Sequence, residues 1–493
     1  MITSHTYRRI FYLAVILFWV MTTGLLIKKH YSNYKMSGLS IQNPMIPEEL
    51  FEEQWLGVYL KGEKIGYSSR KMEKRKNGYG ITELLKIKMK MMGAEKNIET
   101  FIDADLDSNL KLLSFNSGLR SDLDMNVSGR VAAKNLIVDI NTGGKKSTRT
   151  IKLDKEPYLS ISALPNMLKD SLKNGRKISM SIFDPTVVGM VDIGLEVSEK
   201  VSLMSMGRMR EAYKLKGYIK GVEFSVWVTE KGEVLKEESP MGFLLVKEKK
   251  EDAMKVGSPS IDLIAQAAVP FNIKLRPGID YLKIRLSGIE LNGLEIDGGR
   301  QRLKGDVVEI RKEVIPPHPP LGKGGQRGGK VGSGVSDEFI KETMFIQSKD
   351  PQIVSLSQEI IKEEKDMIKA SRLINDWVYR NIEKVPTMSV PMSTEVLKTK
   401  RGDCNEHATL FTALSRASGI PARIAIGLIY KDGFFYYHAW SEIYAGQWIA
   451  IDPTLGQFPA DAAHIRLITG DIDRQMRILP VIGKIKIEGM EYK

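Results

Sequence analysis

The sequence predicts an α+β protein of several domains: an N-terminal transmembrane helix, an antiparallel β-rich middle domain, and a C-terminal domain that sets a helix before three strands. Three observations carry this. An apolar run begins at Ile10 and ends at Ile27 with no charge between Arg9 and Lys28. The stretch from Phe51 to about Met254 is built of short alternating runs broken by glycine-bearing turns. Near the C-terminus a capped helical pattern is followed closely by strand patterns.

At 493 residues the chain exceeds what one hydrophobic core usually serves, so two or three soluble domains are expected. The expected division is 1–30 for the tail and anchor, 51–255 for the β-rich domain and 256–315 for a small β segment. A Pro/Gly-rich linker at 316–336, a C-terminal domain at 337–475 and a closing strand or tail at 476–493 complete it. The formal charge of +13 suggests affinity for anionic surfaces, yet the basic residues are interleaved with Asp and Glu. With no zinc-finger spacing, RNA-binding aromatic signature or continuous basic helix, no nucleic-acid partner is expected.

The Ile10 to Ile27 run, at about 1.5 Å per residue, spans roughly 27 Å, enough for a bilayer core. Residues 21–26 offer no small-x-small cleavage site and apolar residues continue past them, so an uncleaved anchor is expected rather than a signal peptide. Arg8 and Arg9 before the run are matched by Lys28, Lys29 and Lys35 after it, so charge does not set the orientation. A short internal tail with the bulk outside is the expectation.

Between residues 51 and 254 the runs 55–60, 80–89, 98–103 and 224–228 read as strands of an antiparallel sheet or open barrel, with one helix over 161–172 marked by Leu164, Met167, Leu168 and Leu172. This region holds neither His nor Cys, so it offers no nucleophile-base pair. Residues 274–314 add strand alternation around Tyr281 and Val307. From Pro316 to Lys330 the chain turns Pro-rich and then Gly-rich, which cannot make a packed core. Residues 353–383 then read as amphipathic helix, with Leu356, Ile360, Leu373, Ile374 and Trp377 on the apolar side.

The single cysteine rules out an intramolecular disulfide and any multi-thiolate metal cage. A lone Cys is commonly a small buried hydrophobe, but the surroundings of Cys404 point elsewhere. Gly402 permits a tight turn, Asp403 is a good N-cap, Glu406 completes a near capping box, and Gly419-Ile420-Pro421 stops the helix. Cys404 therefore falls in the first helical turn, where unpaired N–H groups and the helix dipole favour a thiolate. Asp403 and Glu406 oppose that, so an imidazole partner is required. Strands at 422–430 and 434–444, joined by Lys431-Asp432-Gly433, present His438, and a third strand ends at Asp452. Cys404 would attack an acyl carbon, His438 would shuttle the proton, and Asp452 would orient the ring.

The runs Arg401-Gly-Asp-Cys-Asn-Glu-His-Ala408, Tyr436-Tyr-His-Ala-Trp-Ser-Glu-Ile-Tyr444 and Trp448-Ile-Ala-Ile-Asp-Pro-Thr454 resemble the transglutaminase-like superfamily of papain-related proteins. The resemblance covers residues 337–473 and implies a papain-like fold with a triad at Cys404, His438 and Asp452. The superfamily holds transglutaminases, proteases, amidases and inactive members, so the reaction class is not inherited. The β-rich region resembles, more weakly, the N-terminal part of bacterial envelope proteins that carry this domain. That second resemblance guides localisation only: with the Ile10 to Ile27 run it implies a single-pass inner-membrane protein with its bulk in the periplasm, and the acyl-transfer reading adds the expectation of a peptide or amide-bearing envelope substrate.

Other polar residues are expected to be structural. His407 lies on a neighbouring helical face, and a zinc site using Cys404, His407, His438 and Asp452 is chemically possible but set aside in favour of the triad. Neither metal nor cofactor is expected. Trp440 either screens the site from water or simply packs. His318 and His464 show no partner in the sequence. The Cys404 N–H is a natural first oxyanion donor, and Ser393 and Thr394 are unsupported candidates for the second. Two functional classes stay open: a membrane-anchored cysteine acyl-transfer enzyme, and a catalytically silent binding or assembly module of the envelope.

Overall fold

The structure is a computed structural model. It describes residue 46 and residues 48–493, apart from 92, 123, 143–144, 163–171, 186–187, 220–221, 241, 317–336, 388–390, 472–473 and 475. The expected anchor from Ile10 to Ile27, the linker at 317–336 with His318, and most of the expected helix at 161–172 lie outside the described residues. No helix among the described residues is long and apolar enough to cross a membrane.

The N-terminal half forms one antiparallel sheet of 14 strands. Strand alternation is its organising pattern: in Asn135–Thr142 every second residue (Leu136, Val138, Ile140, Thr142) is buried. The strand Gln54–Leu60 sits within the sheet, paired with Glu63–Arg75 on one side and with Phe243–Lys247 on the other. One meander runs from it out to Lys145–Lys152, and another runs to Lys177–Asp184. The sheet curls. Leu112 N–H donates to Pro157 O at 2.8 Å, Phe183 N–H donates to Tyr158 O at 2.6 Å, and the Phe115 and Phe183 rings meet at 5.0 Å.

The C-terminal half contains the helices α1 (Pro351–Ile361), α2 (Met367–Asn381), α3 (Ser393–Thr399) and α4 (Cys404–Ala417). Its main sheet holds β1 (Val269–Pro270), β5 (Ala422–Lys431), β6 (Phe434–Tyr444), β7 (Trp448–Ile451) and β8 (His464–Thr469), in the order β1-β6-β5-β8 with β7 also on β6. A second sheet joins β2 (Tyr281–Ser287), β3 (Gln301–Lys304), β4 (Val307–Arg311) and the C-terminal β9 (Lys486–Tyr492). One apolar cluster unites all of these, from Leu282 and Val308 through Ile374, Phe411 and Leu428 to Ile487. Each of the larger side chains contributes about 1.5–3 kcal/mol by leaving water. Helix α4 is buried along nearly its whole length, which fixes the position of its first residue, Cys404.

Candidate active site

The turn into α4 explains the Gly402-Asp403 pair. Asp403 caps the helix by accepting from Asn405 N–H at 2.8 Å, while Glu406 Oε2 accepts from Asp403 N–H at 2.9 Å and from Thr387 Oγ1 at 2.9 Å. A Cβ on residue 402 would lie 2.2 Å from the Glu406 Cβ, so only glycine fits beneath this reciprocal cap. Cys404 follows the cap directly, and its own N–H, at the first helical position, has no acceptor within the helix.

Strand β6 brings the second residue. Its outer edge pairs with β1 at Phe434–Phe435 and with β7 from Ser441 to Tyr444, and the stretch around His438 and Ala439 lies between these pairings. The half-buried Cys404 sulfur is set against this stretch, where the Ala439 N–H is directed at it. Burial pushes the thiol well above its usual range and Asp403 pushes it further; the Ala439 N–H acts the other way, too weakly to reverse them. The sequence predicts that the helix start favours a thiolate. In the fold, desolvation outweighs the dipole, because the sulfur is packed between α4 and β6 beside a carboxyl group. A thiolate therefore depends on an adjacent base that keeps the proton as a counter-charge.

His438 meets Asp452 through Nε2, 2.7 Å from Oδ2, which leaves Nδ1 as the ring nitrogen able to accept a thiol proton. Asp452, fully buried at the end of β7, also accepts from Thr454 N–H at 2.8 Å and Leu455 N–H at 3.0 Å on Oδ1. Burial alone would raise its pKa. The charges and hydrogen bonds of His438 and His464 overcome that and hold it well below the usual carboxylate range. The Trp440 ring is fully buried, stacks on His438 at 6.3 Å and meets His464 edge-on at 5.3 Å, so it shields the histidines from water on that side.

His464 corrects the sequence reading, which found no partner for it. It is fully buried, with Nε2 3.0 Å from Asp452 Oδ2 and Nδ1 3.1 Å from Asp461 Oδ1. The Asp461-to-His464 spacing was the one local signal; the contact with Asp452 arises only because β8 pairs with β5. His407 takes a structural place: its Nδ1 lies 2.7 Å from the Asp403 carbonyl, and burial pushes its pKa down, so the neutral ring donates there and braces the turn before Cys404. Ser393 and Thr394 are held by Gln347 instead of reaching for an oxyanion: Ser393 Oγ is 2.8 Å from Gln347 Oε1, which also accepts from Thr394 N–H at 3.1 Å.

The ligand atoms of His438, Asp452 and His464 lie within 4.8 Å of one another, close enough to converge on an ion. Both ring nitrogens, however, sit at hydrogen-bond distance from the same Oδ2, the geometry of shared protons. His407, engaged with Asp403, does not belong to that set.

Residues 354–453 match the model of the transglutaminase-like superfamily, a span that includes Cys404, His438 and Asp452 and stops short of His464. An uncharacterised protein of Haemophilus influenzae is 30% identical over 99 residues, 18% of this chain, and the chain spans about a quarter (26%) of that relative's length. Among solved structures, a candidate cysteine protease from Cytophaga hutchinsonii overlaps at 19% identity and TM-score 0.30, covering 44% of this chain and 85% of that one. The periplasmic domain of TgpA from Pseudomonas aeruginosa, bound to ethylmercury, overlaps at 16% identity and TM-score 0.23, covering 38% and 83%. The C-terminal half of this protein thus carries a transglutaminase-like domain at residues 354–453.

Proposed function

We propose that the chain is a cysteine acyl-transfer enzyme of the protease, amidase or transglutaminase type, acting on peptide or amide-bearing substrates of the bacterial envelope. The observation that carries this is the 2.7 Å contact of His438 with the buried Asp452, next to a residue whose N–H faces the sulfur of a helix-start cysteine. In this reading His438 Nδ1 takes the Cys404 proton as the sulfur attacks the carbonyl carbon. The Cys404 N–H receives the developing oxyanion, and the leaving amine departs with the proton from His438. Water or an amine then attacks the thioester, His438 takes its proton, and the same proton returns to the sulfur as the acyl group leaves. The Ile10 to Ile27 run would anchor the protein in the inner membrane with its bulk in the periplasm.

The second reading, a silent assembly module, draws on the elevated thiol: a Cys404 that never ionises would be inert. Iodoacetamide alkylation of Cys404 across pH 5–9, in the intact chain and in His438→Ala, separates the two. The enzyme reading expects a thiolate fraction well above that of a free thiol of pKa about 8.5, lost in the variant. An inert thiol, or a rate indifferent to His438, selects the silent module.

A further inference from the structure

Asp452 serves two histidines, and only one of them belongs to the proposed triad. The other, His464, lies between two carboxylates, its Nε2 3.0 Å from Asp452 Oδ2 and its Nδ1 3.1 Å from Asp461 Oδ1. A neutral imidazole carries a single N–H, and an ionised carboxylate can only accept. Both carboxylates are already filled with donors. Asp452 accepts from His438 Nε2 at 2.7 Å, Thr454 N–H at 2.8 Å and Leu455 N–H at 3.0 Å besides His464. Asp461 accepts from Ala463 N–H at 3.1 Å, Gln457 Nε2 at 3.2 Å and Gly278 N–H at 3.3 Å besides His464. With neither carboxylate having room for a proton of its own, both ring nitrogens must carry one.

We propose that His464 is a permanently charged imidazolium, anchored by Asp461, that acts as a positioning residue for the acyl-transfer site by holding Asp452 Oδ2 toward His438. The positioning role rests on the acyl-transfer reading given above. Burial works against the charge, but the hydrogen bonds and charges of Asp452 and Asp461 outweigh it and move His464 upward. The remaining charged groups around it are spoken for. The Arg300 guanidinium donates Nη2 to the Asp461 carbonyl at 2.5 Å and the Ala460 carbonyl at 3.0 Å, with Glu313 at 3.6 Å. On the same sheet face, Arg466 and Glu442 pair at 3.2 Å. The His438 ring is centred 6.0 Å away. Without the imidazolium, the carboxylates of Asp452 and Asp461 would lose the charge between them; Asp452 would turn or take a proton, and His438 would lose the carboxylate that orients its ring and offsets its charge once it holds the thiol proton.

The test uses the full chain labelled with 15N-histidine, together with the pH dependence of Cys404 alkylation. His464 is expected to show two N–H nitrogens that persist from pH 5 to pH 9, assigned by their loss in His464→Gln. In Asp461→Asn one proton should titrate away within that range. Alkylation near pH 7 should fall roughly tenfold or more in His464→Gln, with its midpoint moved to higher pH. A purely structural residue would change the amount of folded protein and leave the midpoint in place. A neutral His464 at pH 7, or a His464→Gln profile that superposes on wild type, overturns the proposal. If His464→Gln does not fold, the Asp461→Asn titration decides the charge, and an unchanged His464 spectrum there overturns it. An inert wild-type thiol is a different result: it sinks the acyl-transfer reading, and the positioning role with it, whatever the histidine spectrum shows.

Discussion

Asp452→Asn removes one charge and almost no volume, yet the surroundings of this carboxylate make it a severe change. Oδ1 accepts from two backbone N–H groups (Thr454, Leu455) and Oδ2 from two imidazoles (His438, His464), all between 2.7 and 3.0 Å. An asparagine that keeps its oxygen toward the backbone turns its NH2 on the two histidines, and the reverse flip opposes it to the backbone. In either orientation two acceptor positions become donors. Hydrogen bonds to a charged group are worth about 1.5–3 kcal/mol each, and breaking a buried pair costs about 3–5 kcal/mol, so a loss of about 3–5 kcal/mol is expected. Against a typical stability of about 5–15 kcal/mol, that lowers Tm by on the order of 10 °C. Thermal melts of the intact chain, followed by tryptophan fluorescence, measure it. The pH dependence fixes the cause. The folded pKa of Asp452 is depressed, so its contribution is present in full above the unfolded value of about 3.9 and declines as pH falls below that toward the folded value. The gap between wild type and variant should therefore hold from pH 7 to about 5 and close in stronger acid. A Tm within 2 °C of wild type at pH 7, roughly the shift for 1 kcal/mol or less, or a gap that widens on acidification, would refute the reasoning.

Three further outcomes are expected. Asp403→Asn keeps a good N-cap while removing a carboxyl that raises the Cys404 pKa in its ionised form and is itself pushed upward by burial and by Glu406, so the alkylation profile should move to lower pH, most at its alkaline end, with little change in Tm. Gly427→Ala would set a Cβ 1.9 Å from the Ile465 carbonyl oxygen, in the register that pairs β5 with β8; a loss of about 1–3 kcal/mol or more should appear as a lower denaturant midpoint with unchanged m. Glu442→Gln strips the carboxylate that joins Arg423 Nη2 at 2.6 Å and Arg466 Nη1 at 3.2 Å in the buried face of the sheet; about 3 kcal/mol of destabilisation is expected in the same unfolding assay.

Much of the architecture follows from local rules. The alternation in Asn135–Thr142, the Gly402-Asp403-Glu406 cap and the Lys431-Asp432-Gly433 turn each involve residues within a few positions of one another, so their physics can be read along the chain. The same holds for Cys404 as the first residue of a helix. The direction of its pKa could not be read that way, because it depends first on burial of the sulfur, which follows from packing of the helix against β6, a segment about 30 residues further along the chain. Ser393 and Thr394 were equally opaque: their engagement by Gln347, 46 and 47 positions away, depends on the docking of α3.

By itself, then, the sequence determined the antiparallel middle, the capped helix with its cysteine, and the strands that carry His438 and Asp452, because periodicity, caps and turns are short-range. Only the tertiary structure decided that residues 281–311 and 486–492 close onto one sheet, that the Ala439 N–H meets the sulfur, and that His464 shares Asp452 with His438. Those are contacts between segments whose pairing is set by burial of a common apolar core and by sheet register, and neither leaves a mark on the order of neighbouring residues.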